Sequence, residues 1–170
     1  MQSVARAYLT LLTFLKVCSG IVIFGVFVLI VVDVALTILK VPPWDATHGL
    51  VEYGLLWFTM LAGPALARDK GHVFIDAVTQ FLPPGAKVLI AKFAYLVVIT
   101  GCVLFTWFSW QLLVEAWEIN QIDERGADLY LWTLYFPMPI CFGLIAIEFM
   151  RFLFGFDDMY GDRTDVKEGM

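Results

Sequence analysis

Residues 17–39 read VCSGIVIFGVFVLIVVDVALTIL, a run interrupted by one charge, Asp33. An α-helix rises about 1.5 Å per residue, so about 20 apolar residues cross a hydrocarbon core about 30 Å thick. A helix of a soluble protein would carry a polar face, and this stretch has almost none. It reads as a membrane span. Three more stretches of the same kind follow: 49–67, where only Glu52 is charged, and 93–114 and 129–147, where nothing is. The expected fold is therefore all-α. It is an integral membrane protein with four transmembrane helices, about 17–39, 49–67, 88–114 and 129–154, in a single domain over residues 1–156.

Composition agrees with that class and excludes others. A hydrophobic content of 61% leaves no room for a sizeable soluble domain. The longest polar segment, the tail 157–170, is too short to bury a core of its own. The net charge of −5 comes without a basic cluster, so nucleic acid is not an expected partner.

How charge is distributed says more than its sum, because Lys and Arg beside membrane spans tend to stay in the cytoplasm. Arg6 and Lys16 precede the first span. Arg68, Lys70, Lys87 and Lys92 lie between the second and third, and Arg151, Arg163 and Lys167 follow the fourth. Only Lys40 and Arg125 occupy the other two connections. That bias predicts both termini in the cytoplasm. The outer side is acidic instead, with Asp45, Glu118, Asp123, Glu124 and Asp128.

The N-terminal segment does not read as a cleavable signal, since Lys16 breaks the apolar run. Residues 4–16 place Tyr8, Leu11, Leu12 and Leu15 at helical spacing. One straight helix from residue 4 to 39 would overshoot the bilayer, so a separate interfacial helix over 4–16 is expected, bending into the first span. A second interfacial helix is expected over 73–82, where Phe74, Ile75, Val78, Phe81 and Leu82 form one apolar stripe. Pro83-Pro84-Gly85 ends it. Pro42 and Pro43 stop a helix in the first outer turn, and Trp44 suits the membrane–water boundary. Trp107, Trp110 and Trp117 approach the outer end of the third span, and Pro137 and Pro139 invite a kink in the fourth.

No catalytic signature is present: there is neither a glycine-rich phosphate loop nor a Ser or Cys nucleophile with a plausible base. No cofactor or metal is expected. Cys18, Cys102 and Cys141 each sit inside an apolar span and read as small hydrophobic side chains. His48 and His72 stand at opposite ends of the second span, about 36 Å apart, and cannot grip one haem. Membrane-embedded acids are more informative, because an ionisable group in hydrocarbon is costly. Asp33 and Glu52 both lie towards the outer half and a short turn joins their spans. Either they form a proton or sodium site, or they are interfacial acids that snorkel or pair with a neighbouring chain. Glu148 and Arg151, spaced i, i+3, are expected to pair.

The order Glu52, Arg68, His72, Asp76 and Leu82-Pro83 resembles the small membrane subunit (DctQ-like, Q component) of tripartite ATP-independent periplasmic (TRAP) transporters. That family has a Glu early in the second span and an Arg at its cytoplasmic end. His-hydrophobic-x-hydrophobic-Asp then leads to Leu-Pro. The resemblance covers about residues 10–155 and implies a small permease subunit of the bacterial inner membrane. It would scaffold a large membrane subunit that holds substrate and sodium, and would help dock a periplasmic substrate-binding protein during sodium-driven uptake of an organic acid. Glu118, Asp123, Glu124 and Asp128 are then the candidate docking edge, and membrane lipids are further partners. The competing readings are a four-helix proton-coupled multidrug-type exporter and an accessory subunit of another complex. Such exporters are shorter and carry their acid nearer the middle of the first span.

Overall fold

The computed structural model describes residues 2–42, 44, 46–69, 84–123 and 128–154. The expected interfacial helix at 73–82 and the tail lie outside them. The described residues include four helices long and apolar enough to cross a membrane. The all-α membrane fold expected from the sequence is the one observed.

Helix α1 runs Gln2–Ile38 without a break. The separate interfacial helix expected over 4–16 is thus replaced by a continuation of the first span. The reason is local: no glycine or proline stands between Gln2 and Ser19. Thr10 and Thr13 return their hydroxyls to the carbonyls of Arg6 and Leu9, so even the polar residues keep the helix hydrogen-bonded. Leu12 is buried, which fastens this extension to its neighbour.

At its other end α1 stops in a Schellman motif. Lys40 takes φ 56°, its N–H bonds the Thr37 carbonyl, and the Val41 N–H bonds the Leu36 carbonyl. Helix α2 follows over Thr47–Arg68. Helix α3 spans Pro84–Ile119 and ends in the same way on Asn120, at φ 50°. There the Asn120 and Gln121 N–H groups bond the Trp117 and Ala116 carbonyls. Asparagine suits that left-handed position, whereas Lys40 carries a Cβ penalty of about 1 kcal/mol.

Two short strands, β1 (Ile122–Asp123) and β2 (Leu129–Tyr130), pair antiparallel beyond α3. The last span is interrupted. Helix α4 covers Leu131–Tyr135, Phe136 turns, and α5 runs Pro137–Leu153 with a proline in its first turn. Pro137 and Pro139 therefore start a helix, where a missing N–H costs nothing, rather than kinking one.

The long helices stand in a row, α1 beside α2, α2 beside α5, α5 beside α3. Close approach within the row depends on two glycines of α2. A Cβ on Gly54 would overlap Val26 Cγ2 of α1. One on Gly63 would come within 3.0 Å of Cys141 Sγ of α5. Small residues of this kind let membrane helices pack backbone to backbone. On the other flank α5 meets α3 through aromatic rings. Tyr95 packs on Phe149 and Phe152, and Phe105 stacks on Phe142 at 5.1 Å.

Candidate functional site

Charged side chains from three helices meet at the Arg68 end of the row. Arg68 closes α2 and Glu148 lies in the last half of α5, and the row brings these two helices side by side. Arg68 Nη1 donates to Glu148 Oε1 at 2.9 Å. Arg151, one turn further along α5, holds its Nε 3.5 Å from Oε2. Glu148 is completely buried, while the two arginines keep about a quarter of their side chains exposed. Each guanidinium also lies over a ring, Arg68 over Tyr8 of α1 at 5.7 Å and Arg151 over Phe152 at 5.5 Å. Beside them Lys16 of α1 reaches Asp69 at 2.7 Å, an exposed pair of small energetic weight.

The burial decides what this cluster can do. A carboxylate shut away from water requires compensation, and here two cations supply it. The paired groups sit beside the apolar cluster of Ala67, Tyr95, Phe149 and Phe152. The arrangement suits a clamp, holding the ends of α1, α2 and α5 at fixed spacing.

The Thr47 end is joined by other chemistry. Tyr53 of α2 donates its hydroxyl to Asp123 of β1 at 3.2 Å. The Trp57 indole N–H donates to the Thr133 carbonyl at 3.1 Å, while its ring stacks on Phe136. Trp117 meets Trp132 edge to face at 4.9 Å. The Leu131 N–H reaches back to the Gln121 carbonyl, so the hairpin and α4 fold over the ends of α2 and α3. A shallow cavity of about 650 Å³ opens there, lined by Asn120, Gln121, Asp123, Leu134 and Tyr135 among others.

Residues 26–156 match the family described as tripartite ATP-independent periplasmic transporters, DctQ component. The chain belongs to that family. No curated protein and no solved structure matches it. It is accordingly a small permease subunit of a TRAP transporter, a multi-pass membrane protein that works in a complex with other components.

Of the residues singled out in this DctQ chain by sequence, Arg68 lies in the buried cluster and Glu52 is exposed near the start of α2. His72, Asp76 and Glu124 lie outside the described residues. Asp33 is half-buried, and its Oδ1 is enclosed with no hydrogen-bond partner among the described residues. The contact of Val26 with Gly54 sets the register of α1 on α2. It places Asp33 level with about Thr47, one and a half turns from Glu52 along the axis. The two acids therefore stand at different heights. Of the acidic residues expected on the outer side, Glu118 and Asp128 are exposed, whereas Asp123 is turned inward onto Tyr53. The Glu148–Arg151 pairing expected from i, i+3 spacing is present, but sequence reasoning missed its third member. Nothing local announces that Arg68 and Glu148, eighty positions apart, are neighbours.

Proposed function

We propose that this DctQ chain is the rigid brace of its transporter. It holds a large membrane subunit that carries substrate and sodium, and it offers docking surface to a periplasmic binding protein during sodium-driven uptake of an organic acid. The observation that carries this reading is the row itself. Its two inner helices are clamped at both ends, while α1 and α3 present long apolar faces outward, with Phe24, Phe27, Phe93 and Trp107 all more than 60% exposed. A clamped slab with apolar flanks suits packing against another membrane subunit.

The basic bias supports an orientation with both termini in the cytoplasm of the bacterial inner membrane, which sets the hairpin and Tyr53 on the periplasmic side. Glu118 and Asp128 are then the described acids free to meet a binding protein. Rim charges of this kind act mainly on association rate.

Reconstitution tests the reading. The chain and its large subunit, co-purified in mild detergent and placed in vesicles with the binding protein, should import an organic acid under an inward sodium gradient. The chain alone should import nothing. Uptake by the large subunit and binding protein without this chain would overturn the brace. Reversing Glu118 and Asp128 to Lys should slow uptake at limiting binding protein, with the loss shrinking as its concentration rises. An unchanged concentration dependence would reject docking there.

A further inference from the structure

The registers of the row carry information about the membrane. Val26 of α1 lies on Gly54 of α2. Trp57 and Arg68 of α2 meet Phe136 and Glu148 of α5, and Phe105 of α3 stacks on Phe142 of α5. Every position on the row can therefore be expressed as a height along α2. On that scale the apolar stretch 17–39 of α1 is centred near position 52. The stretch 49–67 of α2 is centred near 58, 129–147 of α5 near 59, and 93–114 of α3 near 64. The apolar bands climb like a staircase, in the order in which the helices stand.

From α1 to α3 the step is about 12 residues, or about 18 Å of rise. The row is about 27 Å wide, three interaxial distances of 8–10 Å. Helices upright in the bilayer would leave two apolar surfaces in water. Phe93, 68% exposed, would stand about 10 Å beyond the level of Arg68. Leu39, 71% exposed, would stand about 9 Å beyond the opposite end, at Thr47. Upright helices would also set Glu115 and Glu118 of α3 level with Tyr53 and Leu50, inside the extent of α2.

We propose that the row lies obliquely in the bilayer, leaning by about 30° within its own plane, so that hydrocarbon covers a diagonal belt. The belt runs from residues 17–39 of α1 to residues 93–114 of α3. The lean brings the four bands to one depth, puts Phe93 and Leu39 in lipid, and returns Glu115 and Glu118 to the interface. It falls within the observed range of membrane-helix tilts, and the outermost bands, 23 residues on α1 and 22 on α3, are long enough for it. It also gives Lys16 its place: the belt ends at Val17, and the lysine reaches along α1 to Asp69 in water. The charge it carries deeper is Asp33, whose Oδ1 is already enclosed. The occupant of the belt is bilayer lipid rather than a protein, because Lys92 and Glu115 bracket the α3 band as interface residues should.

Single cysteines decide it, placed in the full chain with Cys18, Cys102 and Cys141 replaced by alanine. Phe93→Cys and Leu39→Cys, in membranes opened to a charged maleimide from both sides, should label at under about a tenth of the rate of Thr10→Cys and Glu118→Cys. That protection should hold whether or not the large subunit is co-expressed. Labelling of either position at the control rate in the chain alone would establish an upright row and overturn the proposal. So would protection that appears only with the large subunit, since protein rather than lipid would then cover the belt. Leu96→Cys and Ile38→Cys form a second pair, should either of the first disturb insertion.

Discussion

The two ends of this row hold α2 to its neighbours by different means. At the Arg68 end a fully buried carboxylate is shared by two arginines and capped by rings from α1 and α5. At the Thr47 end single hydrogen bonds, from the Tyr53 hydroxyl to Asp123 and from the Trp57 indole to the Thr133 carbonyl, and aromatic faces make the join. The difference teaches how each end should fail. An ion cluster is costly to enclose and fails badly when one member is lost, because the survivors are left charged and unpaired. A set of separate contacts loses one bond at a time.

The sharpest way to break the comparison is Glu148→Ala. It removes the carboxylate that Arg68 and Arg151 share, and the loss expected is about 3–5 kcal/mol, read as a drop in the thermal unfolding midpoint of the purified chain. Arg68→Ala in the same background should add less than its own separate cost, because the pair is already broken. A Glu148→Ala loss no larger than that of a single hydrogen bond at the Thr47 end would make the two ends equivalent.

Between the ends, packing is the quantity to test. Gly54→Ala drives a Cβ into Val26 and should cost about 1–3 kcal/mol. Val26→Ala should relieve most of that cost in the double variant. Failure of the second change to rescue the first would show that α1 does not sit on α2 at this register.

Tyr53→Phe removes one hydroxyl from Asp123 and should cost about 1 kcal/mol. Hydrogen exchange would locate the loss: faster in β1, β2 and α4, unchanged around Glu148. Equal acceleration at both ends would mean that they form one cooperative unit. The smallest expected effect has the opposite sign. Lys40→Gly relieves a left-handed lysine at the end of α1 and should raise stability by about 0.5–1 kcal/mol. A loss of stability instead would mean that the Lys40 side chain contributes more at that end than its backbone strain costs.

Much of the fold is legible in residues taken one at a time. The span 17–39 announces itself because apolarity is a property of each residue, and a run of it needs no partner to be recognised. The i, i+3 pair of Glu148 and Arg151 is legible for the same reason, being contained within one turn of one helix. The family order from Glu52 to Arg68 was visible too, since it depends on spacing alone. The continuation of α1 through residues 4–16 is not legible in this way, because helix length set against the bilayer favours a bend, whereas the contacts of Tyr8 and Lys16 with α2 and its C-cap exist only in the packed row.

What residues 17–39 and their three counterparts determined alone is the class: four apolar spans in a membrane. Which span stands beside which was decided only in three dimensions, and with it the meeting of Arg68 and Glu148, the fit of Gly54 on Val26, and the inward turn of Asp123. The physical reason lies in the solvent. A helix in water shows its buried side by a change from polar to apolar, whereas a helix in lipid is apolar towards lipid and protein alike. Its pattern therefore says that it spans but not what it touches. Contact is a matter of shape and of paired charge, properties of two surfaces at once, and these exist only when the helices have been set side by side.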